Sequence, residues 1–252
     1  MKIIFLGTGT STGIPLIGCH CEVCESNDPK DNRTRSSIYV EHDGVKIVVD
    51  TGPDFRSQML REGIDDIDAV IFTHAHKDHI AGLDDIRPIN YLKKKVIEVY
   101  ASEFTIGRLK AEYPYIFDKN YPGVPLIDLQ LIENKKFKVK SLDVLPIAGK
   151  HGEIPVLGFR FGSFTYVTDV NFISDEELDK IKGSEVFVIN ALHHRKHHSH
   201  FTLEEALEIA KKVKAKKTYF IHMSHFMGKH EAVEASLPNN VFFSYDGLII
   251  NL

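Results

Sequence analysis

The sequence predicts an α/β fold in which strands gather into sheets and helices cover their outer faces. Three observations carry this. Short β-type runs alternate with amphipathic helical stretches along the 252 residues. Two helix starts carry capping signatures, Ser174-x-x-Glu177 and Thr202-x-x-Glu205. No repeat, Gly/Ser linker or break in composition interrupts the chain, so residues 1–252 are read as one domain.

The elements follow in order. Lys2–Leu6 reads as a strand, and a Gly/Pro/Cys/Asn-rich loop runs from it to about Ser36. Ile38–Glu41 and Val45–Asp50 pair across His42-Asp43-Gly44, where Asp-Gly signals a hairpin. Thr51-Gly52-Pro53-Asp54 is a turn launching a helix over 55–62. Ala69–Thr73 is a buried strand, and Val96–Tyr100 and Leu126–Ile132 are two more, with a helix at 102–110. Phe137–Ile147 is β-rich, and Val156–Phe161 and Phe164–Thr168 form a hairpin across Gly162-Ser163. The two capped helices cover 175–182 and 203–214. Val186–Asn190 and Thr218–His222 are strands, and a helix covers about 229–236. Val241–Ser244 and Leu248–Asn251 are expected to close the chain as a hairpin around Asp246-Gly247.

Composition narrows the function. A hydrophobic share of 43% and a charged share of 26% exclude disordered and collagen-like chains. With 31 Lys and Arg against 35 Asp and Glu, the net charge is −4, which disfavours a nucleic-acid partner. No segment approaches 18 apolar residues, and the apolar start is too short for a signal peptide. Cys19, Cys21 and Cys24 are too close together for an ordinary disulfide framework. The expectation is a cytoplasmic protein with metal-binding thiols.

The 14 histidines are clustered rather than scattered. Directly after a buried strand comes His74-Ala75-His76-Lys77-Asp78-His79, four potential ligands within six residues. In a loop, side chains at i and i+2 can converge on one ion while the next pair turns to a second. Neutral imidazole and carboxylate together suit zinc and similar divalent metals.

Thr73-His74-Ala75-His76-x-Asp78-His79-Ile80-x-Gly82-Leu83 resembles the signature of the metallo-β-lactamase superfamily. The resemblance implies a four-layer αβ/βα sandwich with a two-metal site at the edge of two facing sheets. It also asks for further ligands in a set order. His151 follows a β run, Asp169 and His222 each end a strand, and Asp50 stands at the preceding strand end. The implied sets are His74, His76 and His151 for one ion and Asp78, His79 and His222 for the other, with Asp169 bridging. Zn or Mn would fill both positions.

Cys19-x-Cys21-x-x-Cys24 supplies three thiolates, and structural zinc is normally four-coordinate. His225, three residues past His222, is the expected fourth ligand of a structural Zn stapling the 7–36 loop to the site rim. The opening Phe5-Leu6-Gly7-Thr8-Gly9-Thr10-Ser11-Thr12-Gly13-Ile14-Pro15, the cysteines, Arg33-x-Arg35-Ser36-Ser37 and Asp50–Arg56 together resemble the cyclic phosphodiesterase branch of the carbon–phosphorus lyase pathway. A pyrroloquinoline-quinone biosynthesis branch and the tRNA 3′-processing nucleases are cousins. That likeness implies a small, ribose-type cyclic phosphodiester as substrate. It also implies a general acid in the loop His193-His194-Arg195-Lys196-His197-His198-Ser199-His200. His200 takes that role, with His198 in reserve and Asp78 as the second catalytic residue; Arg195 and Arg35 are the expected phosphate contacts. An iron oxidoreductase and a non-catalytic accessory on the same scaffold are rival readings, weakened by the absence of a partner domain and by the full ligand set. The aromatic, Pro-rich stretch 111–125 reads as a lid, a homodimer contact or a plain surface loop.

Overall fold

The computed structural model describes residues 1–118 and 121–252. Its strands are β1 (Lys2–Gly7), β2 (Ser37–His42), β3 (Val45–Val49), β4 (Ala69–Ile71), β5 (Ile97–Ala101) and β6 (Ile127–Leu131), then β7 (Phe137–Val139), β8 (Leu142–His151), β9 (Ile154–Phe161), β10 (Phe164–Tyr166), β11 (Val186–Asn190), β12 (Lys217–Ile221), β13 (Val241–Phe243) and β14 (Ile249–Asn251). The helices are α1 (Phe55–Arg61), α2 (Lys77–Ile80), α3 (Arg87–Lys93), α4 (Glu103–Glu112), α5 (Asp175–Ile181), α6 (Leu203–Val213) and α7 (His230–Glu234).

Among the described residues the strands form two seven-stranded sheets, ordered β14-β1-β2-β3-β4-β5-β6 and β13-β12-β11-β10-β9-β8-β7. The two share one plan. In the first sheet the pairs from β14 to β3 are antiparallel and those from β3 to β6 parallel. In the second, β7 to β10 pair antiparallel and β10 to β13 parallel.

Period-two alternation along the strands builds the layers. Ile3 and Phe5 of β1 face Phe159, Phe161 and Tyr166 of the other sheet in a central apolar layer. Ile4 and Leu6, one residue out of phase, face Phe55, Met59 and Leu109 of the helices behind. On the far side, Phe187 and Ile189 of β11 pack on Leu178, Ala206 and Ile209. Helix, sheet, sheet and helix therefore stack as the expected αβ/βα sandwich. α6 shows how local signals agree with this. Leu203, Ala206, Ile209, Ala210 and Val213 form its buried face, and Thr202 and Glu205 close a full capping box at its start, a cap worth about 1 kcal/mol.

The stretch 137–147 is β-rich as expected, and turns at Lys140, whose φ of 50° folds β7 back onto β8. Two expectations need correction. Only half of the Ser174 box forms: Ser174 Oγ accepts from Glu177 N, while the Glu177 carboxylate turns away to accept from Ala148 N at 2.8 Å on β8. The closing hairpin does not form either: β13 extends β12 in one sheet and β14 extends β1 in the other. The reason is capture of the turn. Asp246 accepts from Thr8 Oγ1 and Thr34 N, both at 2.8 Å, and Gly247 N donates to Phe5 O at 2.8 Å. Each strand then completes a different open edge.

The 111–125 stretch is partly core. Tyr113 and Ile116 are buried in the layer behind the first sheet, and Tyr113 Oη donates to Ile80 O at 2.7 Å. Lys119 and Asn120 lie outside the described residues.

Candidate metal centre

Parallel strands place their C-terminal ends along one edge of a sandwich, and ligand-binding residues collect there. β3 is followed by Asp50, β4 leads to His74–His79, β10 to Asp169 and β12 to His222. Asp50, Asp169 and His222 adopt φ of 65°, 57° and 59°. This left-handed backbone costs a non-glycine residue roughly 1–2 kcal/mol. Three such residues at neighbouring strand ends mark a place where side-chain direction outweighs backbone comfort.

The side chains converge. His74 Nε2 and His76 Nδ1 lie 3.0 Å apart, and one donor atom from each of His74, His76 and His151 fits within a single cluster. Asp78, His79, Asp169 and His222 form a second cluster. His79 Nε2 is 3.3 Å from both Asp78 Oδ2 and Asp169 Oδ2. His222 Nδ1 is 2.9 Å from Asp169 Oδ1, and His74 Nε2 is 4.0 Å from Asp169 Oδ2. Asp169 thus touches both groups. N and O ligands about 2.0–2.2 Å from a tetrahedral ion stand roughly 3.3–3.6 Å apart, so these separations suit a divalent metal. The chemistry agrees: His79 Nε2 is buried without an aligned hydrogen-bond partner.

Second partners orient the rings. Asp50 Oδ2 accepts from His79 Nδ1 at 2.7 Å and is itself held by Thr73 N and Oγ1, both at 2.8 Å. Ser199 O accepts from His151 Nδ1 at 2.7 Å. Each bond assigns the proton to the outward nitrogen and leaves Nε2 free to face the centre. Burial works against charge on His79, but Asp169, Asp78 and Asp50 together hold it well above the ordinary imidazole value. Burial likewise opposes the Asp169 carboxylate, yet His222 and His79 keep it well below the usual range. Three acids around one buried imidazole make a centre that demands positive charge. His74 is driven the other way, mainly by burial, and stays neutral as a metal ligand requires.

A second cluster stands beside the first. Cys19, Cys21 and Cys24 Sγ lie 3.4, 3.3 and 3.7 Å from His225 Nδ1. Thiolates at about 2.3 Å and an imidazole at about 2.0 Å from a tetrahedral zinc stand roughly 3.5 Å apart. The Cys24 backbone N–H brings the Cys21 thiol down to about 6, while burial pushes Cys24 up to about 11. Metal analysis of Cys21→Ser is expected to show one zinc fewer per chain; unchanged content would remove this site.

The comparisons bear on this geometry. A family model described as the Beta-lactamase superfamily domain matches residues 45–223. The chain belongs to the beta-lactamase superfamily. Among solved structures, a new diphosphatase from the PhnP family is 40% identical, with a TM-score of 0.93 over 99% of this chain and 96% of that one. Zinc-bound PqqB from Methylobacterium extorquens has a TM-score of 0.79 at 19% identity, covering 100% of both chains, a likeness of fold. An octanoyltransferase of Porphyromonas gingivalis is 40% identical over 252 residues, 98% of this chain and 51% of that protein. The chain spans about half of its length.

Within this superfamily chain, the remaining sequence-derived residues divide. His200 is buried, with its ring 4.4 Å from His151 and 4.8 Å from His222. His198 is exposed, its ring 4.4 Å from that of His197. Arg195 is exposed on the loop. Arg35 is engaged elsewhere: its guanidinium donates to both Asp54 oxygens at 3.2 Å and to Ser11 O at 3.1 Å. Arg33, its neighbour, is buried and donates to Thr8 Oγ1 at 2.9 Å and Ser244 O at 2.6 Å; its Nη2 lies 2.9 Å from His230 Nδ1, pinning the long loop to α7. Sequence reasoning missed Thr10 and Ser36, whose hydroxyls lie 3.1 and 3.3 Å from the His222 ring nitrogens. Isolated hydroxyls in a Gly/Ser/Thr-rich loop carry no spacing signal.

Proposed function

We propose that the protein is a metal-dependent phosphodiesterase acting on a small, ribose-type phosphodiester. It is a hydrolase of the metallo-β-lactamase fold. The observation that carries the reading is the pair of donor clusters meeting at Asp169, with the His200 ring against both. The diphosphatase at 40% identity supports it, because a diphosphate bond is broken by the same attack at phosphorus.

His74, His76 and His151 would hold one ion, and Asp78, His79 and His222 a second, with Asp169 between them. Bound there, divalent ions supply a Lewis acid for a phosphoryl oxygen and a water acidic enough to attack at neutral pH. Cys19, Cys21, Cys24 and His225 would hold the structural zinc. Asp50 keeps His79, and Ser199 keeps His151, in the tautomer that faces the centre. His200 would hand the departing alkoxide the proton it needs, having taken that proton up from water once substrate is bound. Burial, and next His222, press the His200 imidazole far below its ordinary value, so it is neutral before substrate arrives. A phosphodiester oxyanion beside it supplies the opposite charge and lifts it toward protonation. Arg195, exposed on the same loop, would meet a terminal phosphate. Arg35 would do so only by leaving Asp54.

A panel of ribose 2′,3′-cyclic phosphate, a linear diester, a pre-tRNA and a lactam tests this with the metal-loaded protein. Turnover of the cyclic phosphate is expected. Cleavage of pre-tRNA at a higher kcat/KM would replace the reading with a tRNA 3′-endonuclease. Among the described residues no helix is long and apolar enough to cross a membrane.

A further inference from the structure

We infer that Phe226, His193 and His197 form a stacking shelf for a nucleobase on the substrate. The inference rests on the phosphodiesterase reading and names what the non-reacting part of that substrate carries.

Phe226 is 65% exposed, and its neighbours hold it so. His225 on one side faces three thiols at 3.3–3.7 Å. Met227 on the other is only 2% exposed, and its carbonyl accepts from His194 Nε2 at 3.0 Å. With both flanks held, the ring lies at the surface against His225, centroids 4.0 Å apart. A large apolar ring fixed in water beside a catalytic centre is already ordered for a guest.

The next rings lead inward. His193 stands 6.2 Å from Phe226 at 76°, and His197 stands 5.9 Å from His193 at 83°. Arg195 N donates to His193 Nδ1 at 3.1 Å and fixes that ring. From His197 the series continues to His200 at 5.2 Å and to His222 at 4.8 Å. Near-perpendicular rings present a face and an edge together. A flat heteroaromatic guest can stack on one and meet the edge of the next, whereas an alkyl chain gains nothing from their orientation. His200 stands between His222 and the shelf, 4.8 Å from the one and 5.2 Å from His197, so a substrate whose phosphate meets the centre carries its base outward along this series. Stacking of this kind accepts any base.

The test uses the metal-loaded full chain and two substrates sharing one leaving group, thymidine 5′-(p-nitrophenyl phosphate) and methyl p-nitrophenyl phosphate. In Phe226→Ala the ratio of their kcat/KM values is expected to fall about 5- to 100-fold, through KM of the thymidine ester, and Phe226→Tyr is expected to restore it. An unchanged ratio would overturn the shelf while leaving the phosphodiesterase reading intact. So would a wild-type preference for a third ester with the same leaving group, octyl p-nitrophenyl phosphate, over the thymidine ester. A second readout does not need turnover. The chain has 9 Tyr but no Trp, so Phe226→Trp places a single indole on the shelf, excited selectively at wavelengths the tyrosines do not absorb. Saturable quenching by thymidine 5′-monophosphate but not by ribose 5-phosphate is expected; equal or absent quenching overturns the shelf. If neither ester is hydrolysed, the phosphodiesterase reading falls, and the quenching still decides the shelf.

Discussion

His200→Ala is expected to keep both active-site ions and lose about 10²–10⁴-fold in kcat on substrates with an alkoxide leaving group. The ring lies 4.4 Å from His151 and 4.8 Å from His222, and a His200 nitrogen groups with His151 and Asp169, but its removal leaves the seven donors of the two main clusters in place. The loss should depend on the leaving group. An alkoxide departs only with a proton, whereas p-nitrophenolate leaves without one. Bis(p-nitrophenyl) phosphate is therefore expected to lose far less than a ribose cyclic phosphate. Parallel losses on both, at unchanged metal content, would reassign His200 from proton donor to positioning residue.

Asp169→Asn is expected to have the larger effect on the metals. The carboxylate sits 2.9 Å from His222 and 3.3 Å from His79 and approaches His74 at 4.0 Å. An amide keeps the shape but gives up the charge and presents N–H donors where a cation belongs. Loss of several kcal/mol of electrostatic stabilisation corresponds to about 10³-fold or more in kcat/KM. Binding at one hundred times Kd stabilises a fold by about 2.7 kcal/mol, which for a chain of this size is a shift of about 5–10 °C in Tm. The variant is expected to lack that metal-dependent shift and to show less metal by elemental analysis. A wild-type shift in Asp169→Asn would mean that Asp169 does not join the two clusters.

Much of this centre is legible because Asp50, His74, Asp169 and His222 each follow an apolar run. Val48-Val49-Asp50, Ile71-Phe72-Thr73-His74, Tyr166-Val167-Thr168-Asp169 and Phe220-Ile221-His222 each read as a buried strand ending in a polar side chain, and the structure places all four ends on one edge. The Cys-x-Cys-x-x-Cys spacing likewise pointed to a missing fourth ligand, and His225 stands within 3.7 Å of all three sulfurs. What was not legible depended on distant partners. Asp246-Gly247 carries a hairpin signal, but Thr8 and Thr34, more than 200 residues away, take its carboxylate. Glu177 fits a capping box, but the β8 backbone competes for it. Arg35 reads as a phosphate contact in the sequence, but Asp54, 19 residues on, holds its guanidinium. The short α2 and α3 open without a side-chain N-cap, whereas α5, with the same seven residues as α3, announces itself through Ser174.

The most direct single measurement is hydrolysis of ribose 2′,3′-cyclic phosphate before and after removal of the metals by a chelator, with metal content followed in the same samples. Activity is expected to vanish with the active-site ions and to return when Zn²⁺ or Mn²⁺ restores two of them per chain. Hydrolysis that persists in the metal-free protein, or a fully reloaded protein that leaves the phosphodiester intact, would contradict the assignment.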